Sequence, residues 1–97
     1  MIGLATKAGK TKSGEFAAEK SISSKHSRLV FISEEASPAS KKSFTDKCKF
    51  HKVPVVICFS KEELGRACGK ATRTSVSIED EGFANALLKM TKESLPI

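Results

Sequence analysis

The residues with the clearest chemical potential lie between Lys7 and Glu15, in the stretch Lys-Ala-Gly-Lys-Thr-Lys-Ser-Gly-Glu. Its glycines allow a backbone to approach a ligand closely, and a helix N-terminus predicted at its end attracts phosphate groups. Because the three lysines are spread along the chain, the pattern favours a nucleic-acid backbone over a small anion. The alternative is a solvated loop with ordinary helix capping.

Other motifs that would indicate catalysis do not fit. A nucleotide-binding P-loop has four residues between its glycines, but five separate Gly3 from Gly9 and three separate Gly65 from Gly69. It also needs a strand before the loop. There is no Gly-x-Ser-x-Gly elbow. The carboxylate pair Glu34-Glu35 consists of adjacent residues that point apart, which favours a role near a helix N-terminus. The sequence therefore predicts a protein that is not an enzyme.

The cysteines and histidines do not form a pattern typical of a metal site. Cys48, Cys58 and Cys68 include no CxxC pair, and their odd number argues against a disulfide framework. His26 and His51 are far apart and have no patterned partners. We expect free thiols in a reducing cytoplasm, and neither a metal nor a cofactor.

The charge is concentrated in the first half of the chain. Residues 1–52 hold 11 Lys/Arg against 5 Asp/Glu, whereas residues 53–97 hold 6 of each, so the net charge of +6 belongs to the first half. Such asymmetry indicates an anionic partner, the alternative being a basic protein with no special partner. The longest apolar run, Val53 to Phe59, is far too short to span a membrane, and the first eight residues do not resemble a signal peptide.

Alternating helix and strand patterns must position these groups. Leu4 and Ala8, with Ala5 between them, give a weak apolar stripe that predicts a first helix, which ends at Gly9. A very short strand lies within residues 10–14, and a second helix runs from about Glu15 to Ser24.

Two short apolar runs, Arg28–Ile32 and Val53–Cys58, predict buried strands. The helix between them begins with Ser37 as N-cap and Pro38 at the first helical position, and it ends near Lys49.

The second half continues the alternation. Ser60 to Glu63 is a capping box that begins a short helix through Cys68. Residues 74–78 alternate as in a strand, with Val76 and Ile78 on one face, and Asp80 caps an amphipathic final helix. The order predicts an α/β sandwich, in which one small sheet carries helices on both faces.

Six strings of residues, in order along nearly the whole chain, resemble the ribosomal L-seven-Ae family, and most closely its branch of small bacterial ribosomal-protein-like RNA-binding proteins. The resemblance implies a single domain over residues 1–97. Its fold would be a three-layer α/β/α sandwich with a four-stranded mixed sheet. It also implies binding to kink-turns, which are sharply bent RNA helices with tandem G·A pairs. The strings are residues 3–10, 13–15, 33–38, 53–55, 61–70 and 80–84.

In the family, the start of the second helix follows the pattern Gly, any residue, Asn or Lys, Glu or Gln, two residues, Lys. Gly14 and Lys20 match this pattern, whereas Phe16 and Ala17 replace the polar pair. The polar pair bonds guanine edges in kink-turn binders, which Phe and Ala cannot do. The resemblance therefore implies RNA binding, with kink-turn specificity weakened.

Two further segments are implied to contact RNA. In the family, the loop corresponding to Gly69–Arg73 packs against an extruded base, and here Lys70 and Arg73 add charge for phosphates. The turn around Glu35 lies in the third contact segment, with helix capping as the alternative role.

We thus expect a non-catalytic, cytoplasmic, monomeric domain that binds structured RNA, either ribosomal RNA or a kink-turn RNA, with the ribosome as a candidate partner. The alternative is a protein–protein interaction domain of the same fold that has lost specific RNA recognition. A buried Phe16 would belong to the core, whereas an exposed Phe16 would be a base-stacking platform or a protein contact. The predicted RNA-binding residues are Lys10, Lys12, Gly14, Glu15, Lys20, Glu35, Lys70, Ala71, Thr72 and Arg73.

Overall fold

A computed structural model of the protein describes residues 2–90. Helices and strands alternate along the chain in the predicted order. The helices are α1 (Ile2–Lys7), α2 (Glu15–Ser23), α3 (Pro38–His51), α4 (Lys61–Ala67) and α5 (Glu81–Met90). The strands are β1 (Thr11–Ser13), β2 (Leu29–Ile32), β3 (Val55–Ile57) and β4 (Ser75–Ile78).

The four strands form one mixed sheet in the order β1-β4-β2-β3. β2 pairs with β3 in parallel and with β4 antiparallel, and β4 pairs antiparallel with β1. Phe31 of β2 lies opposite Val56 of β3 and Val76 of β4, so β2 is an interior strand. β1 and β3 form the two edges.

A hydrophobic cluster covers each face of the sheet, and β2 contributes to both. Leu29 and Phe31 pack with α1, α4 and α5, whereas Val30 and Ile32 pack with α2 and α3. This division follows from the strand period of two, which turns successive side chains to opposite faces. The predicted three-layer α/β/α sandwich is therefore confirmed.

β4 uses the same alternation to position α2. Val76 and Ile78 enter the cluster with α1, α4 and α5, as the sequence predicted for one face of this strand. Ser75 and Ser77 turn the other way, and Ser77 Oγ lies 2.8 Å from Ser21 Oγ of α2. Because these side chains are small, α2 lies close to the sheet, and its N-terminus is held beside the start of β4.

The predicted caps of α3, α4 and α5 are confirmed. α3 continues past the predicted end at Lys49 to His51, and Lys52 then ends it in the left-handed conformation with φ of 60°. The caps are Ser37, whose side chain accepts from Ser40 N, the capping box of Ser60 and Glu63, and Asp80, whose Oδ2 accepts from Phe83 N.

The apolar stripe predicted for α1 is only partly buried. Leu4 is 57 % exposed and Ala8 is exposed, whereas Ile2 and Ala5 are fully buried. A helix of six residues has fewer than two turns, so its short stripe does not decide which face is covered. Packing against α4 and α5 decides it.

β3 is also less buried than the sequence predicted. The predicted strand of residues 53–58 forms only Val55–Ile57, and Ile57 is 45 % exposed. The reason is its position at the edge of the sheet, where it has a strand neighbour on one side only. Within residues 2–90, no helix has the length and apolar character to cross a membrane.

Candidate nucleic-acid interface

The junction between β1 and α2 is built around Gly14. Its backbone has φ of 96° and ψ of 155°, a conformation essentially restricted to glycine. Its N–H donates to Ser75 O over 2.9 Å, and it precedes α2 without supplying a capping side chain. The first turn of α2 therefore begins with N–H groups that have no acceptor within the helix or from its cap.

The loop after α4 meets this junction through Arg73. The Nε of Arg73 donates to Ser13 Oγ over 3.3 Å, and its Nη1 donates to Thr72 O over 2.7 Å. A Cβ placed on Gly14 would lie 3.8 Å from Arg73 Nε. The structure thus brings together two predicted segments that are separated by about sixty residues in sequence.

The rest of that loop is folded tightly onto α4. Lys70 N donates to Gly65 O over 2.7 Å, and a Cβ on Gly65 would lie 2.5 Å from Thr72 Cα. The absence of a side chain at Gly65 therefore sets the path of the loop. Lys70, Ala71 and Thr72 remain exposed at the surface.

The two predicted acidic residues already accept hydrogen bonds within the protein. Glu35 Oε1 accepts from Lys61 N over 3.0 Å, so it provides an acceptor for the backbone N–H of the first residue of α4. This is the helix-capping role that the sequence left open, on a helix distant in sequence rather than on the one that follows. Glu15 Oε1 accepts from Ser40 Oγ over 2.6 Å and joins α2 to α3. Both carboxylates hold neighbouring segments of the site together.

Two of the predicted lysines border a groove between α2 and the edge strand β1. Lys12 of β1 and Lys20 of α2 are exposed, and the groove that they line has a volume of about 530 Å³. Phe16 lines it too and is 82 % exposed, so it does not belong to the core. Lys10 lies just before β1, where its carbonyl accepts from Glu79 N over 2.8 Å. It is therefore at the opposite end of β1 from Gly14 and Arg73.

Sequence reasoning did not find four other residues of the groove, which are Ser21 and Ser24 and the two titratable residues His26 and Glu79. His26 follows the end of α2, and Glu79 follows the end of β4. No local pattern connects them. They line the same groove because the serines of β4 let α2 lie close to the sheet, where Ser21 Oγ donates to Glu79 Oε2 over 2.7 Å.

The loop after α4 places two cations, Arg73 and Lys70, where they favour the ionised form of the Cys68 thiol. Burial raises the pKa of Cys48 to about 11. Burial also raises the pKa of Cys68, but this rise is opposed by the Thr6 hydroxyl, the Arg73 cation, the Ser13 hydroxyl and the Lys70 cation. The three cysteines are free, and none is a thiolate nucleophile near neutral pH, because burial together with Glu34 and Glu63 raises the pKa of Cys58 to about 11 as well.

Taken together, the site offers cations, a glycine-lined helix start and an exposed aromatic ring. Within the described residues 2–90, there is no group of three or more His, Cys, Asp or Glu side chains placed to hold a metal. The arrangement is suited to binding a polyanion with flat apolar parts.

Comparison with known sequences gives a consistent picture. Residues 1–88 match the model of the ribosomal protein L7Ae/L30e/S12e/Gadd45 family. The chain is 41 % identical over 90 residues to RNA-binding protein YlxQ of Bacillus subtilis, covering 93 % of this chain and 90 % of the relative. It is 39 % identical over 83 residues to large ribosomal subunit protein eL8 of Picrophilus torridus, covering 84 % and 65 % respectively.

Solved structures are similar as well. A protein of unknown function from Bacillus halodurans matches with a TM-score of 0.91 and 33 % identity, over 95 % of this chain and 93 % of that one. The Giardia lamblia 15.5kD RNA binding protein matches with a TM-score of 0.81 and 26 % identity, over 98 % and 83 %.

Proposed function

Because this chain belongs to the ribosomal protein L7Ae/L30e/S12e/Gadd45 family, we propose that it binds structured RNA, without catalysis, through the N-terminus of α2 and the adjacent basic loops. The observation that carries the proposal is the hydrogen bond from Arg73 to Ser13, beside Gly14, which joins the two predicted segments. Relatives named as RNA-binding and ribosomal proteins support it. They also agree with the expectation that the chain is not an enzyme.

The contacts divide by chemistry. Lys12, Lys20, Lys70 and Arg73 neutralise phosphates, and Gly14 admits the backbone of the RNA to the first turn of α2. Ala71 and Thr72 present small exposed surfaces beside these cations. Lys10 adds charge at the periphery, and Glu15 and Glu35 hold the contact segments in place. The domain extends over residues 1–97 and acts as a cytoplasmic monomer, with ribosomal RNA, and hence the ribosome, as a candidate partner.

Salt dependence tests the electrostatic part of the proposal. With about four phosphate contacts, the logarithm of affinity falls with the logarithm of salt concentration at a slope of about −3, since each contact contributes about 0.7–0.9. The double variant Lys12→Ala/Lys70→Ala reduces the magnitude of that slope by about 1.5. The matched control, Lys49→Ala/Lys89→Ala, removes the same charge from exposed positions outside the contact segments. A flat salt response, or equal losses in both variants, would contradict the proposal.

Kink-turn specificity is the finer part of the proposal. Phe16 and Ala17 stand where the family pattern has its polar pair, so phosphate contacts persist while base contacts are lost. A lost bidentate base contact reduces discrimination by about 1–3 kcal/mol, by analogy with DNA readout. We expect less than about tenfold preference for a kink-turn over the same RNA with its G·A pairs changed to Watson–Crick pairs.

The double variant Phe16→Asn/Ala17→Glu should raise that preference, because Phe16 is exposed and its replacement leaves the core intact. A gel-shift comparison of the two RNAs measures both proteins. If the wild type prefers the kink-turn by about a thousandfold, other residues make the base contacts. Sequencing the RNA that co-purifies from the native host identifies the physiological partner, and the absence of enriched RNA would favour the protein-interaction alternative.

A further inference from the structure

Phe16 has a surrounding that distinguishes it from an isolated exposed apolar residue. Single exposed hydrophobic side chains are ordinary on protein surfaces and need no explanation. Phe16, however, is 82 % exposed and forms part of a groove of about 530 Å³, with Ala17 and two lysines in the same lining. This volume falls in the range of small-ligand sites, about 300–1,000 Å³.

The charges around the groove favour an anionic occupant. Lys12 and Lys20 line it, and Glu79 is the acidic residue of the same lining. Glu79 Oε2 accepts a hydrogen bond from Ser21 Oγ over 2.7 Å, which ties the carboxylate to α2. The two lysines therefore exceed the acid in charge.

His26 adds a polar group at the end of the groove that lies beyond α2. Its Nδ1 lies 3.0 Å from Ser24 Oγ, and Ser24 Oγ donates its proton to Lys20 O over 2.7 Å. This contact orients the ring, so that its other nitrogen, Nε2, is available to a polar group on the edge of a base.

We propose that this groove, defined by Lys12, Phe16, Ala17, Lys20 and His26, holds one unpaired nucleotide of the bound RNA, with its base stacked on Phe16. A flat aromatic face beside cations matches the chemistry of a nucleotide, since bases stack on aromatic side chains and lysines neutralise the flanking phosphates. A base inside a duplex is already stacked on its neighbours, so only an unpaired one reaches the ring. The inference rests on the proposed RNA binding and adds the kind of nucleotide that is recognised.

This groove is distinct from the loop to which the family resemblance assigns an extruded base. Among the residues that the structure describes, none of residues 69–73 lines the groove. The stacking position is therefore an additional one, on the side of α2 that faces β1.

The sequence allows a direct optical test, because the protein contains neither Trp nor Tyr. The variant Phe16→Trp places a single fluorophore in the groove, and Phe50→Trp is its matched control, since Phe50 is 80 % exposed and also stands among basic residues. The probes are three hairpin RNAs with the same paired stem. One has a single bulged adenosine, one has an abasic bulge, and one is fully paired. We expect the adenosine bulge to quench Phe16→Trp emission, with no quenching by the other two RNAs and none in Phe50→Trp.

Affinity gives an independent readout. Phe16→Ala and Phe16→Leu should each bind the adenosine-bulge RNA about 5- to 100-fold more weakly, the effect expected for one lost stacking contact, and bind the paired RNA as the wild type does. Full affinity in Phe16→Leu would show that apolar contact suffices and would overturn the stacking role. Thermal denaturation confirms that each variant is folded.

The outcomes separate this inference from the proposed function. Salt-dependent binding of all three RNAs with equal affinity and no quenching overturns the nucleotide groove and leaves RNA binding standing. A failure to bind any of the RNAs overturns both. Quenching by a polyglutamate peptide, and not by RNA, would identify the groove as a contact for an acidic protein segment and would also overturn the inference.

Discussion

Phe16 and Phe50 are exposed to nearly the same extent, 82 % and 80 %, and each ring stands among basic side chains. The groove beside Phe50 has a volume of about 360 Å³ and is lined by Lys25, Arg28 and Lys52, among others. By composition alone, both regions are plausible nucleic-acid contacts. They differ in the ends of the helices on which they are built.

Phe16 is the second residue of α2, where backbone N–H groups lack helical acceptors and the helix dipole is positive. Phe50 is the penultimate residue of α3, and Lys25 follows the end of α2, so the second region carries the carbonyl ends of two helices. Carbonyl ends repel phosphates and offset the nearby cations. Similar side chains therefore have opposite backbone surroundings, and in the first region Arg73 contacts the segment that leads into α2, through Ser13.

The largest expected effect concerns stability and tests whether the two exposed rings are free of packing roles. Phe44 is buried on α3 and is 2 % exposed, so Phe44→Ala should lower the free energy of unfolding by about 3–5 kcal/mol. Phe16→Ala and Phe50→Ala should each change it by less than about 0.5 kcal/mol. Urea denaturation followed by circular dichroism measures all three. A loss above about 1 kcal/mol in either exposed variant would assign that ring a structural role.

A second test disturbs the loop after α4, whose Arg73 contacts Ser13 just before α2. Gly65→Ala would place its Cβ 2.5 Å from Thr72 Cα, so the backbone of the loop must shift. We expect a loss of about 1–3 kcal/mol in stability, together with weaker RNA binding as Arg73 moves away from Gly14. The control is Gly3→Ala on α1, where the nearest atom lies 3.9 Å from the new Cβ and the helix gains up to about 1 kcal/mol. Unchanged RNA affinity in Gly65→Ala would remove the loop from the interface.

A smaller effect is expected for Glu15→Gln, which should lower the free energy of unfolding but raise RNA affinity. The substitution removes a negative charge that stabilises the N-terminal end of the α2 dipole by about 0.3–1 kcal/mol. It also weakens the hydrogen bond from Ser40. RNA affinity should rise, because a negative charge leaves the phosphate site. Asp46→Asn makes the same charge change on α3, one turn before Phe50, and should leave affinity nearly unchanged. A drop in affinity for Glu15→Gln would instead show that this carboxylate accepts from the RNA.

The smallest effects concern the thiols. In single-cysteine variants, the ultraviolet absorbance of the thiolate should show that Cys68 ionises at lower pH than Cys48, because the Thr6 hydroxyl, Arg73, the Ser13 hydroxyl and Lys70 favour its charged form. No tyrosine titrates in the same range. If RNA occupies the site, Cys68 should ionise at higher pH than in the free protein, with Cys48 unaffected. Equal titration of the two thiols would contradict the combined effect of these hydroxyls and cations on Cys68.

These raised pKa values also set the sign of a stability change. The native state keeps its Cys48 proton between pH of about 9 and about 11, whereas the unfolded chain loses it there. The free energy of unfolding should therefore fall as the pH rises through this window. At lower pH the thiols are protonated in both states and should not change it. Because the cysteines are free, a reducing agent should not change the melting temperature.

Much of the fold could be predicted because its signals are local. Ser37 with Pro38, the box from Ser60 to Glu63, and Asp80 each bring a donor or acceptor to a helix end within a few residues. The continuous apolar run of β2 indicated an interior strand. The errors at α1 and β3 arose where burial depended on which neighbour covers a short element.

For the candidate site, the sequence by itself determined the residue types: a glycine at the start of α2, lysines on both sides of it and an aromatic residue one turn from Lys20. It also determined that no catalytic motif accompanies them. Which of these groups meet was decided by tertiary structure. Arg73 reaches Ser13 because Gly65 lets its loop fold onto α4, and Glu79 joins the groove of Phe16 because the small side chains of β4 let α2 lie close to the sheet. Local spacing cannot encode such contacts, since each depends on the packing of elements distant in sequence.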